Sequence, residues 1–162
     1  MTPASPAGAP GRGRILGIDY GERRVGLAIS DEDQILASPL GVLEHRNRAQ
    51  LCREIIEAVR RHAVVRIVVG LPLNMKGREG PMALTVREFV ARLQVGLEET
   101  PIDLFDERFT SREATRVLRE AELNARQQRG KLDKVAAQLM LQTWLDRQQP
   151  ADDEWPGEGA AD

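Results

Sequence analysis

Three carboxylates stand where chemistry could be done. Asp19 is the only charge in the run Ile15-Leu16-Gly17-Ile18-Asp19-Tyr20-Gly21, which reads as a strand apolar on both sides. A carboxylate at the end of such a strand is costly to desolvate unless it stays wet, is paired, or binds a cation. Glu107 directly follows a second strand-like run, Ile102-Asp103-Leu104-Phe105-Asp106, and Asp133 falls in the first turn of a helix expected from about Lys131 to Arg147. Strand ends that point the same way share a rim, where α/β proteins place their sites. Carboxylates meeting there repel unless they share protons or bind cations, and hard oxygen donors suit Mg²⁺ or Mn²⁺. Two such ions, about 3.5–4 Å apart, would activate a water and stabilise the leaving oxygen of a phosphodiester. The residues alone leave a plainer reading open. In it Asp19 forms a turn, Asp133 favours a helix dipole, and Glu107 pairs with a surface cation.

Basic and hydroxyl side chains lie near the same segments. Lys76 and Arg78 sit in the Pro- and Gly-punctuated loop Leu71 to Pro81, within reach of a phosphate backbone. Arg108, Thr110, Ser111 and Arg112 surround a capping box, Thr110-Ser111-Arg112-Glu113, whose helix start could bind a further phosphate, and Lys131 opens the last helix. Arg116 and Arg119 read as a solvated helix face. Aromatic residues are 4% of the chain, so a stacking platform for single strands is not evident. Tyr20 is the one aromatic placed to stack on a ligand, and His45 and His62 read as surface residues.

The elements that must position these groups follow from periodicity. Gly21-Glu22-Arg23-Arg24 reads as a tight hairpin leading into Val25-Gly26-Leu27-Ala28-Ile29-Ser30. A third strand is expected over Ile35 to Leu43, a helix over 48–62, a strand over Val64 to Gly70, and a helix from Pro81 with the stripe Met82, Val86, Phe89, Val90, Leu93 and Leu97. The capping box opens a helix with core face Ala114, Val117, Leu118 and Ala121. The last helix is expected to bury Val135, Ala136, Leu139, Met140 and Thr143, with Trp144 in the core. The order β-β-β-α-β-α-β-α-α predicts a five-stranded mixed sheet: an antiparallel three-strand meander, two parallel additions through right-handed crossovers, and helices on both faces.

The chain's 162 residues suit one domain, read as a disordered leader over 1–13, a folded region over 14–149 and an acidic disordered tail over 150–162. The net charge of −2 is set by that tail, since residues 13–150 carry 22 basic and 20 acidic side chains. No apolar run approaches the roughly 20 residues of a membrane helix, and the N-terminus has no apolar signal core. Cys52 is alone and reads as a helix core residue, which excludes an internal disulfide. A cytoplasmic location is the expectation.

Four ordered segments, ILGIDYGERRVGLAISD, VVGLPLNMKGREGP, FDERFTSREA and KLDKVAAQLMLQTWLD, resemble the YqgF (RuvX-type) family across Arg14 to Asp146. That family is described as Holliday-junction resolvases and pre-16S rRNA nucleases of ribonuclease-H-like fold. The resemblance implies that Asp19, Glu107 and Asp133 are catalytic, metal-binding carboxylates. It implies a metal-dependent endonuclease acting on structured RNA in ribosome maturation, with a DNA junction resolvase, working as a homodimer, as the alternative. Resolvases of this fold carry a further carboxylate about one turn after the first in the last helix, where this chain has Ala136-Ala137. Two other classes stay in view. A non-catalytic nucleic-acid-binding protein would keep the basic residues without the chemistry. An actin-like ATPase also opens on G-I-D-x-G, but here Glu22-Arg23-Arg24 follows, and 162 residues cannot form two such domains.

Overall fold

Strand β1 (Arg14–Tyr20) lies at the centre of a five-stranded sheet in a computed structural model that describes residues 12–109 and 129–149. Its neighbours are β2 (Arg24–Ser30), β3 (Ala37–Glu44), β4 (Val64–Leu71) and β5 (Ile102–Asp106), in the order β3-β2-β1-β4-β5. The β1–β2 and β2–β3 pairs are antiparallel, whereas β1–β4 and β4–β5 are parallel. This is the meander with two parallel additions that the element order predicts. Helices α1 (Arg48–Arg61) and α2 (Pro81–Gly96) cover one face, and α3 (Arg129–Gln148) covers the other. The leader up to residue 11, the helix expected after the capping box and the tail from residue 150 lie outside the described residues. No described helix is long and apolar enough to cross a membrane.

Alternation along the strands sorts the core into two layers. Leu16, Ile18 and Tyr20 join Ile67, Val69 and Leu71 beneath α1 and α2, which contribute Leu51, Ile55, Val86, Phe89 and Leu93. Ile15, Ala28, Val68 and Phe105 face α3, which contributes Ala137, Met140, Leu141 and Leu145. Asn47 caps α1, its Oδ1 accepting from the Gln50 N–H at 3.1 Å. Cys52 is buried in α1, and that burial pushes its thiol pKa up, as a core cysteine rather than a nucleophile requires.

Expectations shift in three places. The third strand begins at Ala37 rather than Ile35, because the Asp31 Oδ1 accepts from the Ile35 and Leu36 N–H groups at 2.7 and 3.1 Å and so takes them out of the ladder. Tyr20 is buried, its ring centroid 4.7 Å from that of Phe89 and 5.1 Å from that of His45, so it cannot stack on a ligand. His45 is accordingly half-buried beside it rather than a surface residue.

The third concerns α3, whose buried stripe is Ala137, Met140, Leu141 and Leu145, with Trp144 partly buried. Apolar residues lie all round this helix, so periodicity does not select a face. The sheet does: Gly17 receives Leu141 and Gly70 receives Met140, while Gln142 accepts from the Ala37 N–H and donates to the Ile35 carbonyl, both at 2.8 Å. A Cβ added at Gly17 would meet the Leu141 Cβ at 2.9 Å, and that atom moves only with the helix. Gly17→Ala is therefore expected to cost about 1–3 kcal/mol, read as a lowered Tm with the secondary structure retained.

Candidate active site

Asp19 is the penultimate residue of β1, directly opposite Gly26 of β2, and alternation puts it on the α3 face with Gly17. Glu107 begins a single 3-10 turn, Glu107–Phe109, after β5. Between the two strands runs β4, where Gly70 pairs with Phe105. Gly70 makes room: a Cβ there would lie 2.6 Å from Glu107 Oε1 and 2.7 Å from Met140 Sδ. The missing side chain lets Glu107 fold back over β4 toward Asp19.

The two carboxylates meet. The Glu107 carboxyl is pushed up to about 7, first by burial, then by the charge of Asp19 and a hydrogen bond in which protonated Glu107 donates to Asp19, and last by the charge of Asp106. Near neutrality the pair is therefore poised to hold one proton between two sets of oxygens. A divalent cation can take that proton's place. Among the described residues no third carboxylate, histidine or cysteine joins them.

Asp133 stands four residues before Ala137 and eight before Leu141 in α3, both fully buried against the sheet. The side chains of Asp133 and Lys131 lie outside those described, as do Thr110, Ser111 and Arg112. One turn after Asp133 the stripe is occupied by Ala137, so a further carboxylate has no place there.

Arg108 has a partner that the sequence reading did not give it. Its Nε donates to Asp106 Oδ1 and Oδ2 at 3.1 and 2.9 Å, and its Nη2 to Oδ2 at 2.7 Å. These bonds, led by the guanidinium side chain, hold the Asp106 carboxyl below its ordinary range. The guanidinium lies over Gly77, 3.2 Å from where a Cβ would be, and Gly77 has φ of 78°. Arg108 thereby lies between the end of β5 and the loop carrying Lys76 and Arg78.

That loop is closed on itself. Asn74 Oδ1 accepts from the Lys76 and Arg78 N–H groups at 3.0 and 2.9 Å, and the Asn74 N–H donates to the Arg78 carbonyl at 3.0 Å. Lys76 and Arg78 remain exposed on it, next to the strand ends. The roles of Asn74, Gly70 and Asp106 escaped sequence reasoning. Only an Asx residue three positions before a glycine hinted at the first.

Gly70→Ala separates position from stability. The crowded atoms are the far ends of flexible side chains, so the fold can yield, at a cost of about 1 kcal/mol. The displaced group is the Glu107 carboxylate. The expected outcome is a near-parental Tm with a large loss of any carboxylate-dependent activity, measured on the same preparation.

Comparison with known proteins supplies the kinship of this arrangement. A model of the RuvX family, described as Holliday junction resolvase, matches residues 13–147. A relative from Anaeromyxobacter sp. (strain K), named "Putative pre-16S rRNA nuclease", is 47% identical over 137 residues, covering 85% of this chain and 99% of its own. One of the same name from Roseiflexus sp. (strain RS-1) is 40% identical over 136 residues, covering 84% and 96%. Among solved structures, RuvC of T. thermophilus in complex with a Holliday junction substrate superposes with a TM-score of 0.56 at 16% identity, covering 83% of this chain and 95% of its own. The yeast mitochondrial Holliday junction resolvase Ydc2 does so with a TM-score of 0.53 at 13% identity, covering 85% and 80%. These two likenesses establish the fold.

Proposed function

The chain belongs to the RuvX family, and from that premise we propose that it is a divalent-metal-dependent endonuclease that trims the 5′ end of pre-16S rRNA in ribosome maturation. The observation that carries the chemistry is the meeting of the Asp19 and Glu107 carboxyls at the strand ends, over Gly70. The substrate follows the names of relatives that span nearly their full length.

Asp19, Glu107 and Asp133 would hold Mg²⁺ or Mn²⁺, the donor set being all oxygen. Bound there, such ions supply Lewis acidity, lowering the pKa of a water nucleophile and stabilising the leaving oxygen. The chain's own residues do the rest. Gly70 lets Glu107 reach Asp19, and the crowding of two negative charges disfavours leaving them without a cation or proton. Lys76 and Arg78 on their closed loop, and Arg108 beside it, would face the sugar–phosphate backbone. Thr110, Ser111, Arg112 and Lys131 would add backbone donors. Water attacks phosphorus, the bond to the leaving ribose oxygen breaks, and no covalent bond to the enzyme forms.

The family description favours one alternative, resolution of four-way DNA junctions, which would call for a two-fold homodimer to cut paired strands. Purified chain is incubated with Mn²⁺ and either a precursor rRNA leader or a four-way junction. Cleavage of the RNA with the junction left intact is expected, and paired symmetrical nicks in the junction with intact RNA would move the assignment to resolution. No cleavage of either, with no Mn²⁺ binding that depends on Asp19, would make the chain a non-catalytic binding protein.

A further inference from the structure

The end of the β1–β2 hairpin carries a second basic feature. A cleft of about 490 Å³ is lined by Gly21, Glu22, Arg23, Arg24, Glu44, His45 and Arg46. The four-residue turn that forms one wall is locked. The Gly21 N–H donates to the Arg24 carbonyl at 3.0 Å, and the His45 N–H donates to the Arg23 carbonyl at 2.8 Å. A Cβ on Gly21 would lie 2.5 Å from the Arg24 carbonyl oxygen, so this closure needs glycine. On the far side of the turn His45 is held by Tyr20, whose hydroxyl lies 3.3 Å from His45 Nε2. Both arginine backbones are thus fixed before any ligand arrives.

Charge in the cleft is unevenly satisfied. Arg46 pairs with Glu44 at 3.0 Å, which neutralises one acid. Among the described residues neither Arg23 nor Arg24 makes an ion pair. An arginine pair on a rigid turn suits a phosphate backbone, which needs charge and fixed donors but no base reading.

Register places the cleft beside Asp19. Asp19 is opposite Gly26, so Arg24, two residues before Gly26, lies on the same face of the sheet and diagonal to Asp19. Such diagonal neighbours are about 7–8 Å apart. Gly26 puts no side chain between them. The loop with Lys76 and Arg78 follows β4, on the other side of β1.

Resting on the nuclease reading, we propose that this cleft is a backbone-binding subsite, in which Arg23 and Arg24 grip phosphates of the substrate strand next to the bond to be cut. The strand then crosses the sheet rim from the hairpin, over Asp19, to the loop after β4.

The test is the salt dependence of binding. A fluorescein-labelled RNA stem with a single-stranded 5′ extension is titrated with the full chain in Ca²⁺, by anisotropy, over a range of salt. Arg23→Ala with Arg24→Ala is expected to weaken binding about tenfold and to make the log–log salt slope shallower by about 1.4, two single-strand phosphate contacts. Arg60→Ala with Arg61→Ala, the same charge change in the last turn of α1, is expected to leave the slope alone. Arg23→Lys with Arg24→Lys is expected to keep it. Of two probes shortened from one end or the other, one should bind the parent and the alanine pair alike. The proposal is overturned by an unchanged slope in the alanine pair or by an equal change in the α1 pair. A lysine pair that loses the slope as fully as the alanine pair also overturns it, because then the turn and not the charge matters. Cleavage of the same RNA in Mn²⁺ by the parent reports separately on the nuclease reading: a chain that binds without cutting removes that reading while the slope still decides the cleft.

Discussion

Asp19→Asn is expected to abolish metal-dependent cleavage, by about 10³-fold or more, while the chain remains folded. The change removes a charged oxygen donor and keeps the side chain's shape, so the packing of β1 is undisturbed. A loss of that size corresponds to about 4 kcal/mol of transition-state stabilisation, within what metal catalysis supplies. Folding and chemistry also separate in direction. Asp19 raises the Glu107 carboxyl through its charge, so neutralising it relieves repulsion and should leave the metal-free protein at least as stable as the parent. Gel assays on a precursor rRNA, paired with a melting curve in EDTA, check both halves. Full activity in the variant would sink the assignment of Asp19, and a collapsed melting transition would make it a structural residue instead.

The second large effect is a pH dependence of stability with an unusual sign. Glu107 has its carboxyl raised from 4.5 to about 7, so the folded state holds its proton more tightly than the unfolded chain does. The stability this contributes is fully present below pH 4.5 and is lost as pH rises through about 7. In EDTA the parent should therefore lose up to about 3 kcal/mol between about pH 5 and about pH 8, several degrees of Tm for a chain of this size. Asp31 and Asp106 work the other way, their carboxyls being lowered, by backbone hydrogen bonds and by Arg108 respectively. Their contribution disappears only as pH falls below the ordinary 3.8, outside that window. Glu107→Gln should flatten the profile and melt above the parent at about pH 8, while being inactive. Mn²⁺ should flatten the parent's profile in the same way, because a cation replaces the proton. A parental Tm that is level or rising across the window, or a Gln variant that tracks the parent, would contradict the pairing of Asp19 with Glu107.

Much of the frame is local and was therefore legible. The β1–β2 hairpin, the β-branched run of β4 and the stripe of α2 are consequences of period, turn chemistry and branching that act within a few residues. So is the position of Asp19 and Glu107 at strand ends, and with it the idea of a carboxylate site. The order of strands along the chain already implied which ends would share a rim.

What periodicity could not choose is the face of α3, because apolar residues surround that helix. Gly17 and Gly70 chose it, by offering notches that accept Leu141 and Met140, and only packing between residues far apart in sequence reveals which side chain enters which notch. The same notch at Gly70 admits Glu107 to Asp19. The pairing of Arg108 with Asp106 beside Gly77 escaped the sequence for a similar reason: it is set by where a strand end meets a loop. Asp19 itself began as one charge in an apolar strand. Its residue type and place were written in the chain, but its partner depended on a side chain being absent at Gly70, where neighbouring strands and a helix meet.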